Sequence, residues 1–190
     1  MYFGEKVRLR AIEMSDLPHI MKHWNTYETR KFLLTAVPFS ENAERKWLEE
    51  VTTASPWKDG IVVLAVEDKH TGQFLGTVTL DRINPQNRRA ELGIALHDPG
   101  NLGKGYGTDT VRVMLWFGYH VLGLNTIFLI TMTCNARAIR AYEKAGFRKA
   151  GILRQAMFSQ GKFQDVFIMD TVFDEFAVVH PGDTQIGSPP

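Results

Sequence analysis

A chain of 190 residues, 44% hydrophobic and 23% charged, is the size of one domain, able to bury roughly 70% of its unfolded surface without a disulfide or structural metal. Its single cysteine, Cys134, excludes a disulfide framework and a Cys-rich zinc site, and fits a reducing, cytoplasmic compartment. A net charge of +1 gives no field for nucleic acid or an anionic membrane, and the sequence shows neither a secretory signal nor the roughly 20-residue apolar run of a spanning helix.

Residues 6–11 alternate, Val7, Leu9 and Ala11 against Lys6, Arg8 and Arg10, and read as a half-buried strand. Ser15 is the expected cap of a first helix, with Pro18 in its first turn and Leu17, Ile20, Met21 and Trp24 as its apolar stripe. The linker after it carries Phe32, Leu33, Leu34, Val37 and Phe39; it reads either as packing or as a lid over a substrate. Ser40 caps a second helix with Ala43, Trp47, Leu48 and Val51 inward.

From residue 61 the period changes. Residues 61–66 form a continuous apolar strand, 68–72 a turn, and 74–80 the returning arm; Asn84 and Pro85 mark the next turn. In 89–96 the residues Ala90, Leu92, Ile94 and Leu96 share one face, and Arg89, Glu91, Gly93 and Ala95 the other. A turn-rich loop, residues 98–107, then runs into an amphipathic helix bearing Val111, Met114, Leu115 and Leu122. Residues 126–133 are a β-branched strand, and Asn135 caps a helix that runs to Ala145 and stops at Gly146. Strands at 147–158 and 163–173 turn at Gln160-Gly161, and the Pro/Gly-rich residues 177–190 are an expected disordered tail after a single domain over 1–176. This order predicts an α/β fold: a mixed, mostly antiparallel sheet with helices on both faces.

The loop Gly103-Lys104-Gly105-Tyr106-Gly107 sits between a strand and a helix, where successive backbone N–H groups converge at the positive end of the helix dipole. Alternate glycines let an anion approach the backbone closely and allow positive φ. The spacing fits neither the dinucleotide fingerprint, which would need glycine at Thr108, nor the Walker pattern, which would need Ser or Thr where Gly105 stands. A plain turn and helix start is the alternative reading.

Three segments together resemble the GCN5-related N-acetyltransferase superfamily. They are Ala90-Glu-Leu-Gly-Ile94, then Gly103-Lys-Gly-Tyr-Gly-Thr108, then Asn135-x-x-Ala138-x-x-x-Tyr142-x-Lys144-x-Gly146-Phe147. The similarity runs from about residue 6 to 173 and is strongest to the branch holding ribosomal-protein N-terminal and spermidine acetyltransferases. It implies acetyl-coenzyme A as donor, with two central parallel strands splayed apart, here 89–96 and 126–133, around the pantetheine arm. It implies cofactor contacts from Leu96, Leu102, Gly103, Lys104, Gly105, Tyr106, Gly107, Thr108 and Asn135, and no metal. The family's loop commonly opens with Gln, Arg or Trp where this chain has Leu102, which removes a polar side chain and leaves the backbone donors.

The resemblance also places Tyr142 near the cofactor sulfur, where a phenol of pKa near 10 stays protonated and can donate to a leaving thiolate. A core tyrosine beside Ile139 is the alternative. Glu91 is the candidate base, acting through water, or else a solvated glutamate paired with Arg88 or Arg89. Leu96 supplies the expected N–H for the oxyanion of a tetrahedral intermediate. His97 and Asp98 read as turn residues, and His19 with His23 as a surface pair. The implied reaction is direct attack of a primary amine on the thioester. The acceptor is expected to be a peptide N-terminus or small amine, because Glu28, Glu41 and Glu44 offer little opposing charge for a polycation. Polyamine or aminoglycoside acetylation, a non-enzymatic coenzyme A sensor and a nucleotide-binding module are the alternatives; relatives of this kind are often dimers.

Overall fold

The computed structural model describes the backbone of residues 1–33 and 37–179, with side chains as far as Phe176. Leu34 and residues 180–190 lie outside the described residues. Eight strands form one sheet: β1 (Tyr2–Phe3), β2 (Val7–Ala11), β3 (Val62–Asp68), β4 (Phe74–Asn84), β5 (Arg89–Leu96), β6 (Thr126–Met132), β7 (Arg148–Ser159) and β8 (Lys162–Val172). Their spatial order is β1-β2-β3-β4-β5-β6-β8-β7. The helices are α1 (Leu17–Trp24), α2 (Tyr27–Arg30), α3 (Glu41–Thr52), α4 (Tyr106–Trp116), α5 (Ala136–Lys144) and α6 (Phe173–Val179).

Every strand pairing is antiparallel except β5 with β6. Short turns join β1 to β2, β3 to β4, β4 to β5 and β7 to β8, longer helical connections separate β2 from β3 and β6 from β8, and the parallel pair is reached by a crossover through α4. Strand β3 shows why its sequence is apolar without alternation. Leu64 and Val66 enter one buried cluster with Val111, Met114 and Leu115 of α4. Val63 and Ala65 enter another, with Leu17 and Ile20 of α1 and Leu48 of α3. A strand covered on both faces has no polar side to show.

Several boundaries differ from the sequence reading. Asp16 rather than Ser15 organises the entry to α1: its Oδ2 accepts the Glu13 N–H at 2.9 Å. Its carboxylate also grips Arg10 at 2.8 and 2.6 Å, tying the helix start to β2. Ser15 is exposed, so its hydroxyl is better served by water. Ser40 does cap α3, accepting from the Ala43 N–H at 3.1 Å. Ala43 itself faces solvent, and the acid Glu44 takes the inward position. The expected tail begins too early, because α6 continues helical backbone to Val179.

The turn between β1 and β2 wraps around the carboxylate of Asp109 in the first turn of α4. Oδ1 accepts the Glu5 N–H at 3.1 Å, and Oδ2 accepts the N–H groups of Lys6 and Val7 at 2.7 and 2.9 Å. A Cβ on Gly4 would stand 2.5 Å from Oδ2, so glycine is required there. His97, in the loop after β5 as its turn-rich neighbours suggest, is also deeply buried. It is 2% exposed, its ring lies 4.7 Å from Trp24 and 5.6 Å from Phe74, and its N–H donates to the Leu75 carbonyl. Burial, helped by nearby His23, pushes the imidazole down to about 4.

Two stability outcomes follow. Asp109→Ala strands three backbone donors at about 1 kcal/mol each, so urea denaturation is expected to show a loss of about 3 kcal/mol; a loss under about 1 kcal/mol contradicts this anchoring. For His97, the unfolded chain takes up a proton near pH 6.5 that the folded chain resists until about 4. Stability therefore falls as pH drops through that window, by on the order of 3 kcal/mol at about 1.36 per unit. Denaturation curves at pH 7.5 and 4.5 for the wild type and His97→Phe check it, since the variant should lose that part of the slope.

Candidate active site

Strands β5 and β6 pair only at Arg89↔Thr126, Ala90↔Ile127 and Glu91↔Phe128. Beyond Glu91 each continues on its outer neighbour alone. Strand β5 follows β4 as far as Leu96↔Gly76, and β6 follows β8 as far as Met132↔Val166. The contact of β5 with β4 is so tight that a Cβ on Gly76 would meet the Ala95 oxygen at 2.0 Å. Since His97 donates towards β4, alternation along the strand turns the N–H groups of Leu96, Ile94 and Leu92 the other way, into the gap. The strands thus part into a wedge with unpaired backbone edges.

A cavity of about 880 Å³ occupies this wedge and extends to α1, α3 and α5, at the large end of the roughly 300–1,000 Å³ usual for small-molecule sites. Glu91, Leu96, Leu102, Gly103, Asn135 and Tyr142 line it, so the structure brings together residues from four separate elements and loops. Gly105, Gly107 and Thr108 reach it as well. The side chains of Lys104 and Tyr106 do not. The Lys104 ammonium turns back to Asn101 Oδ1 at 3.4 Å, and the Tyr106 hydroxyl donates to Asp68 Oδ2 at 2.6 Å. Those two residues can contribute their main-chain N–H groups.

Those N–H groups are the notable feature of the loop. Among the described residues, none from Gly103 through Thr108 has an acceptor; the first helical bond of α4 runs from the Asp109 N–H to the Gly105 carbonyl. Gly103 and Gly105 have φ of +79° and +91°, a backbone that L side chains adopt at a cost. A Cβ on Gly103 would project into open space. Six consecutive donors at the start of an eleven-residue helix make an anion cradle.

On α5, Asn135 accepts the Ala138 N–H at 3.3 Å and so caps the helix. Arg137, Arg140 and Lys144 share one helical stripe and line the cleft, and Tyr142, on a different face of α5, lines it too. The sequence reading missed this basic trio, although its i, i+3, i+7 spacing is visible in the chain. The Tyr142 ring packs edge-on against Phe147 at 6.0 Å. Burial pushes its phenol up to about 12, so it holds its proton throughout the physiological range. Glu91 Oε2 accepts from Arg82 Nη1 at 2.7 Å. Its partner is therefore Arg82, not Arg88 or Arg89, because a bulge in β4 puts Arg82 at φ 52° directly beside it.

The remaining lining was not legible as a site. His97, Thr77, Glu44, Trp24 and Trp47 come from four elements or turns and meet only in space. Cys134 is exposed. Among the described residues no group of three or more His, Cys, Asp or Glu side chains could hold a metal ion, and no helix is long and apolar enough to cross a membrane.

Comparison with known proteins agrees with this geometry. The model of the acetyltransferase (GNAT) domain matches residues 6–148. The spermidine N(1)-acetyltransferase of Escherichia coli K12 is 27% identical, over 95% of each chain. An uncharacterized N-acetyltransferase, p20, of Bacillus licheniformis is 24% identical, over 92% of this chain and 97% of that one. The crystal structure of spermidine N-acetyltransferase from Vibrio cholerae, in complex with CoA and spermine, superposes with a TM-score of 0.82 at 25% identity, covering 91% of this chain and 99% of that one. With its parted strands, its glycine loop and a family match across most of its length, the chain belongs to the GNAT acetyltransferase family and is an acetyl-CoA-dependent N-acetyltransferase.

Proposed function

We propose that the cleft between β5 and β6 acetylates a small primary amine, with Glu91 and Tyr142 as its proton-handling residues. The observation that carries this is the joint occurrence of a parallel pair that ends at Glu91 and a run of six unaccepted N–H groups at the start of α4. The diphosphate of coenzyme A fits the cradle at Gly103–Thr108, where backbone donors and the helix dipole act together. Arg137, Arg140 and Lys144 add positive charge beside it. Bound acetyl-coenzyme A supplies an activated thioester carbonyl and a thiol leaving group.

The chain's own residues do the rest. The Leu96 N–H, turned into the wedge, offers a hydrogen bond where negative charge develops on the acetyl oxygen. Tyr142 lines the cleft, and burial alone, with no hydrogen bond among the described residues, acts on its phenol, so its proton is available to a departing sulfur. Among the described residues, Glu91 Oε1 has no hydrogen bond, and the carboxylate can draw a proton from the ammonium through water. An alkylammonium near pKa 10.4 costs on the order of 4 to 5 kcal/mol to neutralise at pH 7, which is where a base contributes. The exposed lone cysteine fits the reducing cytoplasm, and a homodimer would accord with the family resemblance.

Three measurements test this reading. Acetyl-coenzyme A should raise the melting temperature where ATP does not, and Gly105→Ala, which strains a φ of +91°, should weaken that shift at least tenfold in affinity. Tyr142→Phe is expected to slow thiol release at least tenfold with coenzyme A affinity nearly intact; equal losses in both would make the phenol a packing residue. Glu91→Gln should lower kcat/KM for an alkylamine at least tenfold at pH 7, the deficit shrinking by pH 9–10 as solvent does the deprotonation. A deficit independent of pH would remove Glu91 from the proton path.

A further inference from the structure

We infer that the acceptor end of this cleft takes a primary monoamine with an aromatic or aliphatic body, and not a polyamine. The inference rests on the acetyltransferase reading of the same cleft and concerns what lies on the far side of Glu91. That end is walled by Ile20 and Trp24 of α1, Phe32 and Leu33 beyond α2, Trp47 of α3 and Met157 of β7. It is an apolar and aromatic surface.

Three carboxylates face the cleft among the described residues: Glu28, Glu44 and Glu91. None is free for an extra ammonium group. Glu28 is ion-paired with Lys31, and Glu91 with Arg82 at 2.7 Å. Glu44 is 5% exposed, accepts the Trp24 indole N–H at 3.1 Å and feels the charge of Arg30. Burial raises its pKa despite both neighbours. The aromatic faces that could serve a cation are taken in the same way. The Arg30 guanidinium carbon lies 5.4 Å from the Trp24 ring and 4.5 Å from Phe39, and Lys31 Nζ lies 5.4 Å from Phe32. His97 packs on Trp24 as well, at 4.7 Å. Residues 34–36 are Leu, Thr and Ala and add no acid.

The consequence is a charge balance near zero where a polycation would have to sit. Each further ammonium group drawn out of water against this wall meets a desolvation cost with no unpaired carboxylate to offset it. Trp47 is different. It is half-buried and lines the cleft, with no ring or cation partner among the described residues, so its indole is open to an apolar substituent.

The test is a steady-state assay of thiol release by the full chain with acetyl-coenzyme A, using 2-phenylethylamine, tryptamine, hexylamine, spermidine and a short peptide with a free N-terminus. The expected result is a kcat/KM for the best aryl- or alkylamine at least tenfold above that for spermidine. Trp47→Ala should shrink that ratio below about threefold, mainly through KM. Lys31→Ala, which unpairs Glu28 at an accessible position, should raise kcat/KM for spermidine several-fold whatever happens to the tryptophan variant. Spermidine or the peptide as preferred acceptor overturns the inference and leaves the acetyltransferase reading standing. So does a chain that is thermally stabilised by coenzyme A yet turns over none of the five amines. Absence of both stabilisation and turnover overturns the underlying reading, and the inference with it.

Discussion

Backbone hydrogen bonding, more than any side chain, decides what this molecule can do. A sheet satisfies its N–H and C=O groups by pairing, and β5 and β6 give up that pairing after three residues. They can afford to part because each remains fastened on its outer side, β5 to β4 and β6 to β8. The inner edges are left as two rows of polar groups facing a cavity. A few residues on, the start of α4 leaves six more N–H groups without acceptors among the described residues. Unpaired backbone groups usually meet water or a ligand, and here they line one continuous space.

Holding that arrangement open is the task of residues remote from the chemistry. Asp109 receives three N–H groups from the β1–β2 turn, and Lys6 reaches the Lys104 carbonyl at 2.8 Å. Tyr106 is fixed by Asp68, whose carboxyl is held down to about 2 by that hydroxyl and by the N–H groups of the following turn. The glycine loop is thus pinned from both sides by its own side chains and by the first strands of the sheet. Lys104 and Tyr106 point away from the ligand space for this reason. Their place in the motif reflects anchoring as much as binding.

These contacts also explain what the sequence could and could not convey. Elements defined by local period or by a cap were legible: β5 matches its expected residues, Ser40 and Asn135 cap as anticipated, and the glycine loop stands where the pattern put it. Short elements held by tertiary contact were not, and α2 with its buried Arg30 has no periodic signal to offer. His97 illustrates the limit best. Next to Asp98, Pro99 and Gly100 it reads as a turn residue, yet Trp24 and Phe74 arrive from elsewhere in the chain to bury it. Glu91 was legible as a base candidate from its face on β5 together with the family resemblance, whereas Arg82 was not legible as its partner. Only a bulge in β4 brings that guanidinium alongside.

The two ends of the cleft differ in charge, and the difference bears on how an amine becomes reactive. The α5 end carries Arg137, Arg140 and Lys144 and suits an anionic cosubstrate. The proposed acceptor end pairs each acid with a cation or buries it. An ammonium group entering that end loses water without gaining a full counter-charge, and desolvation of this kind lowers the pKa of an amine. On the proposed reading, the apolar wall would perform part of the deprotonation that otherwise falls on Glu91 alone. A strongly acidic pocket would bind a polycation well and, by stabilising its charged form, make each nitrogen harder to neutralise. A wall of Trp24, Trp47, Phe32 and Leu33 would, in the proposed role, bind through apolar area and bias the nitrogen toward its nucleophilic form. The proposed selectivity for an apolar monoamine and the activation of that amine would then arise from the same surface.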